Sequence, residues 1–165
     1  MNMRPQWLST FEEMCEWVSS LRSTPGELWL KPIKEGKWSI GEIISHFYFW
    51  DQFIYTERLL KLESNAFESA DVEEMNKNAA DFARSGISKE GLISMFIQSR
   101  KEICLFIQGL PREQLEAPFK IGKNPITIKG YIEGMSEHDL HHKKQVEDFL
   151  TLEEGHNVKN PGSFH

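Results

Sequence analysis

The sequence predicts an all-α fold, a four-helix bundle with one long crossover connection. Three observations carry this. Four segments repeat apolar residues at three-to-four spacing, the period of one helix face. Proline, glycine and capping residues punctuate the gaps between them. A long polar stretch, residues 63–87, separates the second segment from the third, more chain than neighbouring antiparallel helices need.

The first helix is expected from Gln6 to Arg22, with Phe11, Met14, Cys15, Val18 and Leu21 inward and Glu12, Glu13, Glu16 and Ser19 toward water. Pro25-Gly26 ends it. A connector from Glu27 to Lys37, with Trp29, Pro32 and Gly36, has no clean period and reads as irregular chain held over one end of the bundle by Trp29. Ser39 followed by Glu42 is a capping box, in which hydroxyl and carboxylate each satisfy the other residue's free amide. The second long helix therefore starts at Ile40. It is expected to reach Leu62, with Ile43, Ile44, Phe47, Trp50 and Ile54 on its inner face and Asp51 and Glu57 elsewhere.

Within 63–87 one short helix, Asp71 to Ala83, is expected, in a crossover or a lid over a pocket. Ser88 caps the third long helix, whose stripe is Ile93, Phe96, Ile97, Ile103, Cys104 and Ile107. Gly109-Leu110-Pro111 stops it. Segment 112–126 holds Pro118, Gly122 and Pro125, and its Phe119-Lys120-Ile121 reads as a brief extended piece with no partner strand. Thr127 caps the fourth helix, which carries Ile128, Ile132, Met135, Val146 and Phe149 to about Glu153. The whole forms a single domain over 1–165, with its core at about 5–153 and a loose, turn-rich tail at 154–165.

Composition narrows the function. The net charge of −6 supplies no basic footprint, which argues against nucleic acid as a partner. No apolar run approaches the ~20 residues that span a bilayer. Met1-Asn2-Met3-Arg4-Pro5 lacks a signal-peptide core, so a cytoplasmic protein is expected, with Cys15 and Cys104 as reduced core thiols. Eleven Phe, five Trp and three Tyr fit a large core or a hydrophobic pocket.

The chemistry concentrates in Ser136-Glu137-His138-Asp139-Leu140-His141-His142-Lys143-Lys144-Gln145. His138 and His142, four residues apart, share the apolar face of the fourth helix, one above the other. Neutral imidazole is a good ligand for divalent metals. His46 lies within the inward arc of the second helix and is the third candidate ligand. His141 points away from the pair, and His156 and His165 have no helical partner. Three imidazoles suit zinc or nickel, with iron as a further choice. Phe47, Trp50 and Met135 are the candidate pocket wall. Glu42 is explained by its cap, and nothing in the sequence orients Asp139 or Tyr131 toward a substrate.

These residues resemble the DinB/YfiT-like superfamily. The resemblance rests on Trp38-Ser39-Ile40-Gly41-Glu42-Ile43-Ile44-Ser45-His46 and, later, His138-Asp139-Leu140-His141-His142-Lys143-Lys144-Gln145, and covers roughly 5–150. Where the family often has Arg-Gly before the glutamine, this chain has Lys143-Lys144, which keeps a positive charge and loses a small residue. The resemblance implies a four-helix bundle with a crossover, metal ligands His46, His138 and His142, and a homodimer. Members are similar to thiol S-transferases that use bacillithiol, mycothiol or glutathione, and to a thiol-dependent isomerase. The expected function is therefore metal-dependent transfer of a low-molecular-weight thiol such as bacillithiol to a small electrophilic substrate. Two alternatives stay open: a non-catalytic metal- or ligand-binding bundle of stress response, and a metal-dependent hydrolase.

Overall fold

The structure, a computed structural model, describes residues 4–159. Four long helices form the bundle: α1 (Gln6–Ser20), α3 (Ile40–Glu57), α5 (Lys89–Gln108) and α7 (Ile128–Lys159). Three short ones lie between them: α2 (Gly26–Trp29), α4 (Val72–Ala83) and α6 (Arg112–Glu116). α1 packs on α5 and α7, and α3 packs on α5, α7 and α4. The apolar core has two parts. One is built around Val18, Ile40, Ile44, Phe96 and Val146. The other is built around Leu8, Phe11, Ile103, Ile128 and Ile132.

Side-chain caps fix the helix starts. The amide of Glu42 donates to Ser39 Oγ, and Glu42 Oε1 accepts from the Ser39 amide, completing the box. Asp71, Ser88 and Thr127 cap α4, α5 and α7 by accepting the amides of Glu74, Gly91 and Gly130.

Four expectations need correction. α3 ends at Glu57, and a single 3₁₀ turn, Leu59–Lys61, replaces its expected last turn. The connector after α1 is not wholly irregular, since Gly26–Trp29 makes a helical turn that seats the buried Trp29. α7 continues through Gly155 to Lys159 where a loose tail was expected. Residues 160–165, His165 among them, lie outside the described residues. The fourth correction concerns Phe119–Ile121, which does have partners. It pairs antiparallel with Asn124–Ile126 and parallel with Ala66–Phe67, in a three-stranded sheet with strands β1 (Ala66–Phe67), β2 (Phe119–Ile121) and β3 (Asn124–Ile126) in that order. Gly122, at φ 61°, opens the two-residue turn between β2 and β3, where a residue with a Cβ is disfavoured. Pro125 is tolerated because β3 is an edge strand.

Candidate metal centre

α3 and α7 bring His46, His138 and His142 together. One ring nitrogen from each lies within 4.8 Å of the other two. The ring centroids are 5.2 Å apart for His46 and His138, 5.3 Å for His46 and His142, and 4.6 Å for His138 and His142. His46 is buried, His142 half-buried and His138 exposed, so the cluster is reached from the His138 side. The Trp38 ring, 4.9 Å from that of His46 and 6.0 Å from that of His142, walls it on another side.

Two of the rings are held in one tautomer. Trp50 Nε1, which can only donate, lies 3.0 Å from Asn76 Oδ1, so that atom is an acceptor. His46 Nδ1 lies 3.0 Å from the same oxygen and must carry its proton there, which leaves the Nε2 lone pair free. His142 Nδ1 donates in the same way to Gln145 Oε1 at 2.9 Å. Burial pushes the His46 imidazolium down to about 3, helped by the neighbouring His142 and His138. Burial and His138 take His142 down to about 4, and burial lowers His138 as well. All three rings are neutral at pH 7, with lone pairs available.

Asn76 belongs to α4, so the long connection contributes to the site. It is fastened beside His46 by a further bond, in which Ser45 Oγ donates to the Ala79 carbonyl at 2.6 Å. α4 is thus a fixed wall of the site.

Beside the cluster opens a cavity of about 410 Å³. His46 and His138 line it, as do Phe47, Trp50 and Met135. α4 contributes Val72 and Asn76, the β2–β3 hairpin Ile121 and Ile126, and α7 Tyr131 and Asp139. Among the described residues no lysine or arginine lines it.

The model of the DinB superfamily matches residues 8–146, most of the chain. This chain belongs to the DinB superfamily. Among solved structures, YfiT from Bacillus subtilis is similar, with a TM-score of 0.73 over 87% of this chain and 83% of its own, at 15% identity. YfiT is described as a probable metal-dependent hydrolase with an unusual four-helix bundle topology. At that identity the likeness speaks for the fold alone. No curated protein matches the chain.

One cluster in this DinB-superfamily chain lies outside the sequence reading. Arg100, fully buried on α5, donates through Nε and Nη2 to both oxygens of Asp51, at 2.8 and 2.9 Å. Its Nη1 reaches Asp139 Oδ2 at 2.7 Å and the Phe11 carbonyl at 3.0 Å. The guanidinium lies 3.7 Å above the Phe11 ring. Burial raises the Asp51 carboxyl to about 6 against the opposing pull of Arg100, and raises Asp139 in the same sense. Both aspartates line the cavity. Asp51, expected off the inner face of its helix, is instead fully buried, one turn after Phe47 and three residues before Ile54, because its charge is paired with Arg100. Arg100 likewise continues the Phe96–Ile103–Ile107 stripe and Asp139 the Ile132–Val146 stripe. A charged residue that is fully buried at an apolar-stripe position needs a partner of opposite charge.

His141 is exposed, with its ring 5.8 Å from that of His142 and outside the three-nitrogen group. Cys15 and Cys104 are free and buried. Desolvation raises their thiols to about 11 and about 12, and neither lines the cavity.

Proposed function

We propose that the protein is a metal-dependent thiol S-transferase, with His46, His138 and His142 holding a divalent ion, zinc or nickel in preference to iron. The observation that carries this reading is three neutral, converging imidazoles at the edge of an apolar, aromatic-walled cavity. The donor set fits a metal: two of the rings are locked with Nδ1 protonated by amide oxygens, the usual outer support of a metal-binding histidine. An ion held there would supply Lewis acidity, lowering the pKa of a thiol or water bound beside the substrate.

The chain's residues do the rest. Phe47, Trp50 and Met135 take the apolar body of a small electrophile and exclude water from it. The thiol comes from outside, because the chain's own cysteines are buried away from the cavity and held protonated. Lys37 lines a smaller cavity with Trp38, His142 and Gln145, and supplies a cation for the carboxylate of a thiol such as bacillithiol. In the transfer a C–S bond forms, the leaving group departs with its electron pair, and the thiol proton passes to solvent.

Hydrolysis is the second reading, favoured by the similar fold of YfiT and its description. It needs the same three ligands, with water in place of the thiol. The deciding experiment starts with untagged protein and its metal content by mass spectrometry, beside a His138→Ala, His142→Ala double variant. About one equivalent of metal in the wild type, lost in the variant, is the expected result. Loaded protein is then given a small aromatic electrophile with and without thiol. Turnover only with thiol supports transfer, and turnover with water alone moves the assignment to hydrolysis. A wild type that takes up neither zinc nor nickel refutes both.

A further inference from the structure

The side-chain amide of Asn76 is used on one side only. Its Oδ1 lies 3.0 Å from Trp50 Nε1 and 3.0 Å from His46 Nδ1, and accepts from both. The amide cannot turn over, because that would set Nδ2 against the indole N–H, donor against donor. Nδ2 therefore has a fixed place, and α4, which carries it, is tied to α3 through Ser45 and Ala79. Among the described residues no acceptor meets Nδ2, and it is not one of the buried atoms sealed without a partner, so it stays open. Asn76 lines the cavity beside the histidines, and its free N–H groups face that space. Of the wall's other donors outside the three rings, Trp50 Nε1 is spent on Asn76 itself. The Tyr131 hydroxyl belongs to a residue about two helical turns before His138 on α7, away from the metal ligands.

An apolar molecule entering the cavity strips water from those N–H groups, and a donor left without an acceptor costs more than a made bond gains. A molecule that brings an acceptor to Nδ2 escapes that cost. We infer that Asn76 Nδ2 is a substrate-binding donor, and that the cavity selects small aromatic electrophiles carrying a neutral oxygen acceptor, a carbonyl or nitro oxygen, beside the ring. Phe47, Trp50 and Met135 take the ring. The oxygen sits beside the metal ligands rather than among them, since Asn76 meets His46 at Nδ1 while Nε2 keeps its lone pair for the cluster. The inference deepens the proposed function by naming the substrate class, and rests on that reading only in taking this cavity as the electrophile's seat. Hydrocarbons and simple halides of the same size, which bring no acceptor, are held less well.

The test uses acetophenone and α-methylstyrene, its isostere with a methylene group in place of the carbonyl oxygen. Both are titrated into full-length isotope-labelled protein, with and without zinc, and followed by NMR. Asn76→Asp keeps an acceptor for His46 and Trp50 and removes the donor, so zinc affinity is expected to hold. Acetophenone binding is expected to weaken in that variant by about fivefold or more, the worth of one hydrogen bond. α-Methylstyrene binding is expected to change less than about twofold, and Tyr131→Phe to leave both probes within about the same limit. No binding of acetophenone to the wild type, an equal change for the two probes in Asn76→Asp, or a loss of acetophenone binding in Tyr131→Phe instead, overturns the inference. Should Asn76→Asp not fold, the wild type decides: an Asn76 amide proton must move downfield with acetophenone and not with α-methylstyrene. A zinc-binding protein that fails this test sinks only this inference. One that passes it but takes up no metal sinks only the metal reading.

Discussion

Two polar clusters bridge α3 and α7, and they solve opposite problems. In the Arg100 cluster, charge is gathered and nearly neutralised from within, across three helices and with no exposure of Arg100 or Asp51. In the histidine cluster, neutral rings are held from behind by Asn76 and Gln145, and their free lone pairs converge on one another. The first needs nothing added to be stable. The second has acceptors facing acceptors, which stabilises nothing until a cation joins them. A polar group built for the fold is closed, and one built for chemistry is left open on one side.

Breaking the closed cluster gives the largest effect. Arg100→Met keeps the volume but leaves Asp51 and Asp139 buried without a counter-charge. Removing one partner of a buried ion pair costs about 3–5 kcal/mol. Urea denaturation is expected to show a loss of that size, or no folded protein. A loss below about 1 kcal/mol, the value of an exposed pair, would show that the triad is not the closed unit described.

Breaking the open cluster from behind is milder. Asn76→Ala removes the acceptor that fixes both His46 Nδ1 and Trp50 Nε1. Loss of such an outer partner costs about 10–100-fold in metal affinity, and zinc titration against a competing chelator reads it. The smaller value is expected for Gln145→Ala, since Gln145 Oε1 serves a single ring. Unchanged affinity in both variants would mean that the rings are oriented by packing alone.

The sequence disclosed these clusters unequally, for a physical reason. Helical periodicity is local: it places His138 and His142 on one face and His46 in the inward arc of α3, because each lies among its own helix's apolar residues. Arg100, Asp51 and Asp139 also fall at inward positions of their helices, but a charged side chain there is easily assigned to the solvent side, as with Asp51. Their pairing, though, spans 49 residues in one case and 39 in the other, and no local rule matches partners at that distance. The caps at Ser39, Ser88 and Thr127 were legible because both partners sit within one turn. The β2–β3 hairpin was hidden because Pro125 argues against a strand, and only the edge position of β3, a tertiary fact, removes the objection. Asn76 was hidden for the same kind of reason, as its partners His46 and Trp50 lie 30 and 26 residues away.

Acid sharpens the comparison with the smallest perturbation, since the two clusters push stability in opposite directions. In the metal-free protein the folded His46 and His142 imidazoles titrate at about 3 and about 4, below the ordinary 6.5. From pH 6.5 down to about 4 the unfolded chain therefore takes up protons that the folded chain refuses, and these histidines make stability fall. Asp51 titrates at about 6 when folded, above its ordinary 3.8. Between those values the folded chain takes up the proton instead, so Asp51 makes stability rise as the pH falls. Urea midpoints of metal-free protein between pH 6.5 and 4 are expected to drop less steeply in His46→Phe than in the wild type. In Asp51→Asn, if it folds, the drop is expected to be steeper, because the opposing uptake is gone. Slopes that move together in the two variants would mean that the clusters titrate as one unit, and the division between a closed and an open site would fail.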